Sequence, residues 1–199
     1  MQEKVLYKMI LLLGSNLPYG GLSPQQIIEE ADKEIIAALL PDYMEIDSLE
    51  QIAFTTEIIQ TEPCGVFKED ADFVGNISGP TPPFFNQILC CITDKAPLAA
   101  LEETFRIENL FGRKRTYKEK GKVYQSRTLD IDILEVYRAD NKADNRADKD
   151  LHWIEIKEDS KKLTLPHPQI KTRPFVKELL AMLPRDQRPA SKRAGQILD

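Results

Sequence analysis

A chain of 199 residues with 42% hydrophobic and 30% charged residues suits one soluble globular domain with a substantial core, and excludes a disordered or fibrous protein. Its longest apolar run, Met9-Ile10-Leu11-Leu12-Leu13, is too short to cross a bilayer. The formal net charge of -5 argues against wholesale nucleic-acid binding. Met1-Gln2-Glu3-Lys4 lacks a signal-peptide pattern, so a cytoplasmic protein, monomeric rather than an obligate oligomer, is expected. Cys64, Cys90 and Cys91 are odd in number, and two are adjacent. Neither a disulfide framework nor a zinc site fits that spacing, and Cys90 and Cys91 read as buried small hydrophobes.

In chain order, Val5 to Leu13 predicts a buried strand, with a plain turn at Gly14-Ser15-Asn16-Leu17-Pro18. Ser23-Pro24 reads as an N-cap followed by proline at the first helical position. Ile27, Ile28, Ala31, Ile35, Ala38 and Leu39 then share a helical face to about Leu40, where Pro41 ends the helix. Ile46 to Gln60 predicts a strand, followed by an irregular connection to Pro83; connections of that length are usually functional. Phe84 to Thr93 predicts a third strand. Pro97 opens a second helix that Gly112 stops. Thr128 to Val136 is the next predicted strand, followed by a solvated insertion at 138–150. Trp153 to Ile156 and Leu163 to Leu165 predict short strands, Thr172-Arg173-Pro174 starts a last helix to about Met182, and 184–199 is a polar tail. Strand, helix, strand, strand, helix, strand is the order of an α+β, ferredoxin-like (split βαβ) sheet with helices packed on it and long functional loops. The whole of 1–199 reads as a single domain.

The chemistry concentrates around residue 130. From Arg113 to Arg127 there are seven basic residues (Arg113, Lys114, Arg115, Lys118, Lys120, Lys122 and Arg127) against one acid, Glu119. On an acidic protein such a stretch is either a solvated loop or the seat of an anionic ligand. Directly after it comes Leu129-Asp130-Ile131-Asp132-Ile133. In a strand, Asp130 and Asp132 share a face while their apolar neighbours turn to the core, with Cα atoms about 7 Å apart. An isolated Asp-x-Asp is more often the polar face of a half-exposed strand. Carboxylates that hold metal beside arginines that hold phosphate, however, are the parts of a phosphoryl-transfer site. No P-loop segment exists. His167, between Pro166 and Pro168, suits either a phosphate donor or a turn cap. Arg173 precedes a helix start, where backbone amides favour anions. Phe84-Phe85-Asn86-Gln87 is either core plus a strand-edge amide or a slot in which a ring stacks and an amide reads a flat heterocycle.

Together these segments resemble the 6-hydroxymethyl-7,8-dihydropterin pyrophosphokinases of folate synthesis. The resemblance runs from Leu13-Gly14-Ser15-Asn16 to Pro174-Phe175, and its most specific piece is Arg127-Thr128-Leu129-Asp130-Ile131-Asp132-Ile133-Leu134. It implies transfer of pyrophosphate from ATP to the pterin's hydroxymethyl group, giving AMP. Asp130 and Asp132 would hold two Mg²⁺, and Arg113 and Arg127 would join them in catalysis. Glu108, Arg115, Lys162, His167 and Arg173 would lie on the ATP side. Thr61, Cys64, Phe84, Asn86 and Phe175 would line the pterin slot. The loops 61–83 and 112–126 would close over the site. The chain departs from the family pattern at Ser126 (usually proline), Tyr124 (often tryptophan), Lys162 (often arginine), Pro168 (commonly tyrosine) and Glu62. Two other readings stand beside this one. A two-metal nucleotidyl transferase or cyclase also places paired aspartates on a ferredoxin-like sheet, and a non-catalytic binding module would use the sheet without chemistry.

Overall fold

The computed structural model describes residues 5–41, 53–63, 66–67, 81–113, 123–124, 126–139, 151–153, 156–158 and 163–184. Its main sheet is built on β1 (Leu6–Ser15), an almost wholly apolar strand buried on both faces. β5 (Phe84–Thr93) and β7 (Asp130–Ala139) flank β1, both antiparallel to it. Two three-residue strands, β2 (Ala53–Thr55) and β3 (Ile59–Thr61), extend the sheet beyond β5. β8 (Leu151–Trp153) extends it beyond β7. The order across the sheet is β2-β5-β1-β7-β8, with β3 also on β5. Each outer strand of the four principal ones reaches its sequence partner across an intervening strand. That is the split βαβ topology of a ferredoxin-like α+β fold, as predicted.

The helices follow from local chemistry. α1 (Pro24–Leu39) opens with a capping box: Ser23 Oγ accepts from the Gln26 N–H at 3.3 Å, and Gln26 Oε1 accepts from the Ser23 N–H at 2.9 Å. α2 (Pro97–Leu110) ends at Gly112, whose φ of 76° is open to glycine at little cost. A Cβ at Gly112 would also overlap the Tyr19 ring, so the chain is turned sharply just before Arg113. α1 and α2 cover one sheet face, burying Met9, Leu11 and Leu13 of β1 against Ile28, Ile35 and Ile107. On the other face Ile10 and Leu12 meet Val176, Leu179 and Leu180 of α4 (Pro174–Met182). A short helix, α3 (Gln169–Thr172), precedes α4. Among the described residues no helix is long and apolar enough to cross a membrane.

Several predicted boundaries move. Within the expected strand Ile46–Gln60 the described residues form two strands, because Thr56 interrupts the ladder. Its Oγ1 accepts from the Ile88 N–H at 3.0 Å, and its carbonyl accepts from Gln87 Nε2 at 2.7 Å. The strand expected at Thr128–Val136 instead runs from Asp130 to Ala139. Arg138 and Ala139 therefore belong to the ladder, paired with His152 and Leu151, and not to an insertion; residues 140–150 lie outside the described residues. The expected strand Trp153–Ile156 is divided. Trp153 ends β8 in the main sheet, while Ile156 begins β9 (Ile156–Glu158), which pairs with β10 (Leu163–Leu165). Gly14 is a strand residue rather than part of the turn. The connection after Thr61 also has regular structure: β4 (Val66–Phe67) runs parallel to β6 (Val123–Tyr124), so the two long loops meet each other.

Candidate active site

α4 packs over Ile10 and Leu12 on its sheet face, and polar residues follow toward one end of the same strands. Antiparallel register sets Asn86 of β5, Gly14 of β1 and Asp130 of β7 in one row across three strands. The next row is Ile88, Leu12 and Asp132. Ile88 and Leu12 belong to the core beneath α4, so Asp130 and Asp132 share that face two residues apart, as alternation requires. Gly14 forms the floor between the amide and the carboxylate. A Cβ there would lie 3.2 Å from Asn86 Oδ1.

The acidic half is knit to the arginines. Arg113 Nη1 donates to Asp130 Oδ1, to Glu108 Oε1 and, at 3.1 Å, to the Leu129 carbonyl. Arg127 Nη1 donates to Asp130 Oδ2. Glu108 is fully buried on α2 and also accepts from the Ile131 N–H at 2.9 Å. Glu108 thus lies beneath Arg113 and fixes its guanidinium. Burial opposes the charge on Arg113, but Asp130 and Glu108 outweigh it and raise the pKa above its ordinary value. Charge-assisted bonds to two carboxylates hold such a guanidinium firmly.

Asp132 faces a second set of partners. Gln169 Nε2 donates to its Oδ2 at 2.7 Å, and His167 Nε2 stands 3.9 Å from its Oδ1. His167 is anchored by its backbone N–H on the Leu134 carbonyl at 2.8 Å, next to a cis Leu165–Pro166 bond. Its Nδ1 accepts from the Gln169 N–H at 3.4 Å, which leaves the ring proton on Nε2, toward Asp132. Burial lowers the pKa of His167, against the pull of Asp130. Burial and the adjacent Asp130 push Asp132 up to about 7.

The neutral half is simpler. Asn86 Nδ2 donates to Thr61 Oγ1 at 2.8 Å. The Phe84 ring lies under the Arg127 guanidinium, whose Cζ is 5.9 Å from the ring centroid. Phe175, in the first turn of α4, packs on the same sheet face, and Arg173 is the N-cap residue of that helix. The structure therefore brings together Arg113, Arg127, Asp130, Asp132 and His167, and beside them Thr61, Phe84 and Asn86. Cys64, Arg115 and Lys162 lie outside the described residues.

The donor set suits a hard divalent cation only in part-shell form. Among the described residues no group of three or more His, Cys, Asp or Glu side chains is arranged to hold a metal. Two neighbouring carboxylates on an open face fit Mg²⁺, which takes few protein oxygens and completes its shell with phosphate and water. Sequence reasoning missed Gly14, Asn16 and Gln169. Each acts through partners far along the chain, and only the Gly-Ser-Asn run after a strand offered any signal.

Fold and site define a class: an α+β protein whose antiparallel sheet gathers paired carboxylates, arginines, an amide and an aromatic ring at one end. The family model described as 7,8-dihydro-6-hydroxymethylpterin-pyrophosphokinase (HPPK) matches residues 10–185, and the chain belongs to that family. It is similar to proteins named 2-amino-4-hydroxy-6-hydroxymethyldihydropteridine pyrophosphokinase from two strains of Porphyromonas gingivalis. Each is 36% identical over 95 residues, 48% of this chain and 52% of the relative. The aligned stretch thus spans about half the length of the curated relatives it matches. A crystal structure of Plasmodium falciparum HPPK-DHPS aligns at 17% identity and a TM-score of 0.48, covering 90% of this chain and 40% of that one.

Proposed function

We propose that the chain transfers the terminal pyrophosphoryl group of ATP to the hydroxymethyl oxygen of 6-hydroxymethyl-7,8-dihydropterin, releasing AMP. The observation that carries the reading is the row Asn86–Gly14–Asp130. It sets an amide that can read a heterocycle edge one strand away from the carboxylate that would hold the nucleotide's metal. The hydroxymethyl oxygen attacks the β-phosphorus, the bond from that phosphorus to the bridging oxygen breaks, and AMP leaves with the oxygen. The displaced hydroxyl proton passes to solvent. When bound at Asp130 and Asp132, Mg²⁺, in our reading two ions, neutralises phosphate charge as it shifts toward AMP.

The chain's own groups then do the positioning. Arg113 and Arg127 are paired with Asp130, and their guanidinium forks would hold triphosphate oxygens. His167, neutral with its proton on Nε2, donates to a phosphate oxygen. Arg173 supports the same side. Thr61 orients the Asn86 amide, and Phe84 and Phe175 offer ring faces to the pterin. Such a transfer needs geometry and charge neutralisation more than covalent help. ATP as donor and the buried thiols of Cys90 and Cys91, which form no disulfide, suit a reducing, cytoplasmic setting.

The test is incubation of the chain with ATP, Mg²⁺ and 6-hydroxymethyl-7,8-dihydropterin. AMP should form in step with pterin diphosphate. ATP left intact, or consumed with release of free pyrophosphate, would refute the proposal, and the second outcome would favour a nucleotidyl transferase.

A further inference from the structure

Asn16 is assigned to neither half of the site, yet it joins them. It is 2% exposed and its side chain is fully engaged. Oδ1 accepts from the Arg127 N–H at 2.8 Å, and Nδ2 donates to the Pro82 carbonyl at 3.3 Å and to Ser126 Oγ at 3.0 Å. Its own N–H and that of Leu17 donate to the Arg127 carbonyl at 3.1 and 3.2 Å. Its neighbour Ser15 adds a bond from Oγ to the Thr128 carbonyl at 2.5 Å.

Pro82 lies two residues before Phe84, on the approach to the strand that carries Asn86. Arg127 lies on the approach to the strand that carries Asp130 and Asp132. Asn16 leaves the end of β1, the strand between them, and ties both approaches. The Arg127 guanidinium over the Phe84 ring is a second tie between the same two segments. A buried amide is costly unless its donors and acceptor are all satisfied, so neither segment can shift alone without breaking part of the set.

We propose that Asn16 is a positioning residue that couples the two substrates: ordering of Arg127 by a triphosphate is passed through the Asn16 amide to the Pro82–Phe84 segment and the heterocycle slot. The proposal rests on the pyrophosphokinase reading for the identity of the two ligands. It predicts a linkage between them, since two sites that bias one shared element must influence each other reciprocally.

The test measures affinity of the full chain for fluorescent 6-hydroxymethylpterin, with and without a non-hydrolysable ATP analogue and Mg²⁺. In the unaltered chain the analogue should tighten pterin binding about tenfold, a usual coupling between sites. Asn16→Asp keeps the acceptor for Arg127 N–H but loses both Nδ2 donors. It should retain slow amide exchange at Arg127 and, at temperatures where the variant is folded, the coupling should fall to about twofold or less. A merely structural strut would lower the melting temperature and leave the coupling factor in place. Ser126→Ala, which removes one partner only, should show coupling between these values, and it carries the test should Asn16→Asp fail to fold. Coupling equal to that of the unaltered chain in folded Asn16→Asp, or in Ser126→Ala if only that variant folds, would overturn the proposal. Failure of the unaltered chain to bind the pterin would instead refute the pyrophosphokinase reading, and the coupling with it.

Discussion

The two faces of the main sheet are built to different ends. One is closed along its length by α1 and α2, and Met9, Leu11, Leu13, Ile28 and Ile35 are all removed from water there. The other is closed by α4 over Ile10 and Leu12, and its polar end carries the part-exposed Asp130 and Asp132 beside the buried Asn86 and Gly14. Neighbouring residues of one strand therefore serve opposite purposes: Ile131 and Ile133 hold the sheet to its helices, while Asp130 and Asp132 meet Arg113, Arg127 and Gln169 on the other face. Stability and chemistry are separated by the two-residue period of the strand, so substitutions a single position apart should differ in kind.

The largest expected effect is at the polar end. Asp132→Ala should lower kcat by about a thousandfold or more through loss of metal-held charge neutralisation. Its melting temperature should stay level or rise, because a carboxylate crowded against that of Asp130 is removed. Turnover within about tenfold of the parent chain would break the metal assignment. On the closed face the pattern should invert. Ile28→Ala deletes a fully buried side chain and should cost about 2–5 kcal/mol in denaturant unfolding. The fraction that remains folded should keep its kcat, and a loss of kcat by that folded fraction would show that the faces are not separate.

Gly14→Ala sharpens the comparison within the site itself. The added Cβ would press on Asn86 Oδ1 from 3.2 Å, and the amide is held by Thr61, so it cannot yield freely. Pterin affinity should fall about tenfold with ATP affinity unchanged; equal loss of both would place Gly14 elsewhere in the mechanism. The smallest effect is on α1. Burial, with Glu29 nearby, pushes Asp32 up to about 7 from 3.8, and its Oδ1 has no hydrogen-bond partner among the described residues. A raised carboxylate pKa gives stability that is full below about pH 4 and lost as pH rises through 7. Asp32→Asn should therefore match the parent near pH 4 and melt about 2–4 °C higher above pH 7, where a gain of ~1 kcal/mol is expected. A gap that does not change with pH would rule out this titration.

Much of this was legible in the sequence where the signal is local. Ser23-Pro24 announced a helix start, the apolar stretch from Val5 to Leu13 announced a strand, and alternation through 129–133 put Asp130 and Asp132 on one face. What was not legible depends on single contacts across long stretches of chain. Thr56 breaks its strand through Ile88, 32 residues on. Gln169 reaches Asp132 across 37 residues, and Asn16 reaches Arg127 across 111. Such bonds repeat with no period, so no pattern in the sequence reports them. Glu108 illustrates the middle case. Resemblance marked it for the site, but only packing shows that it sits under Arg113 and braces that side chain from within the protein.

Attack at the β-phosphorus of ATP separates the proposed pyrophosphoryl transfer from every other use of the same groups. ATP labelled separately at the α- and β-phosphorus, followed during turnover with the dihydropterin, decides it. The β-label should appear in pterin diphosphate and the α-label in AMP, and both transfers should disappear in Asp132→Ala. Recovery of the β-label in ADP, or of the α-label in the pterin product, would contradict it.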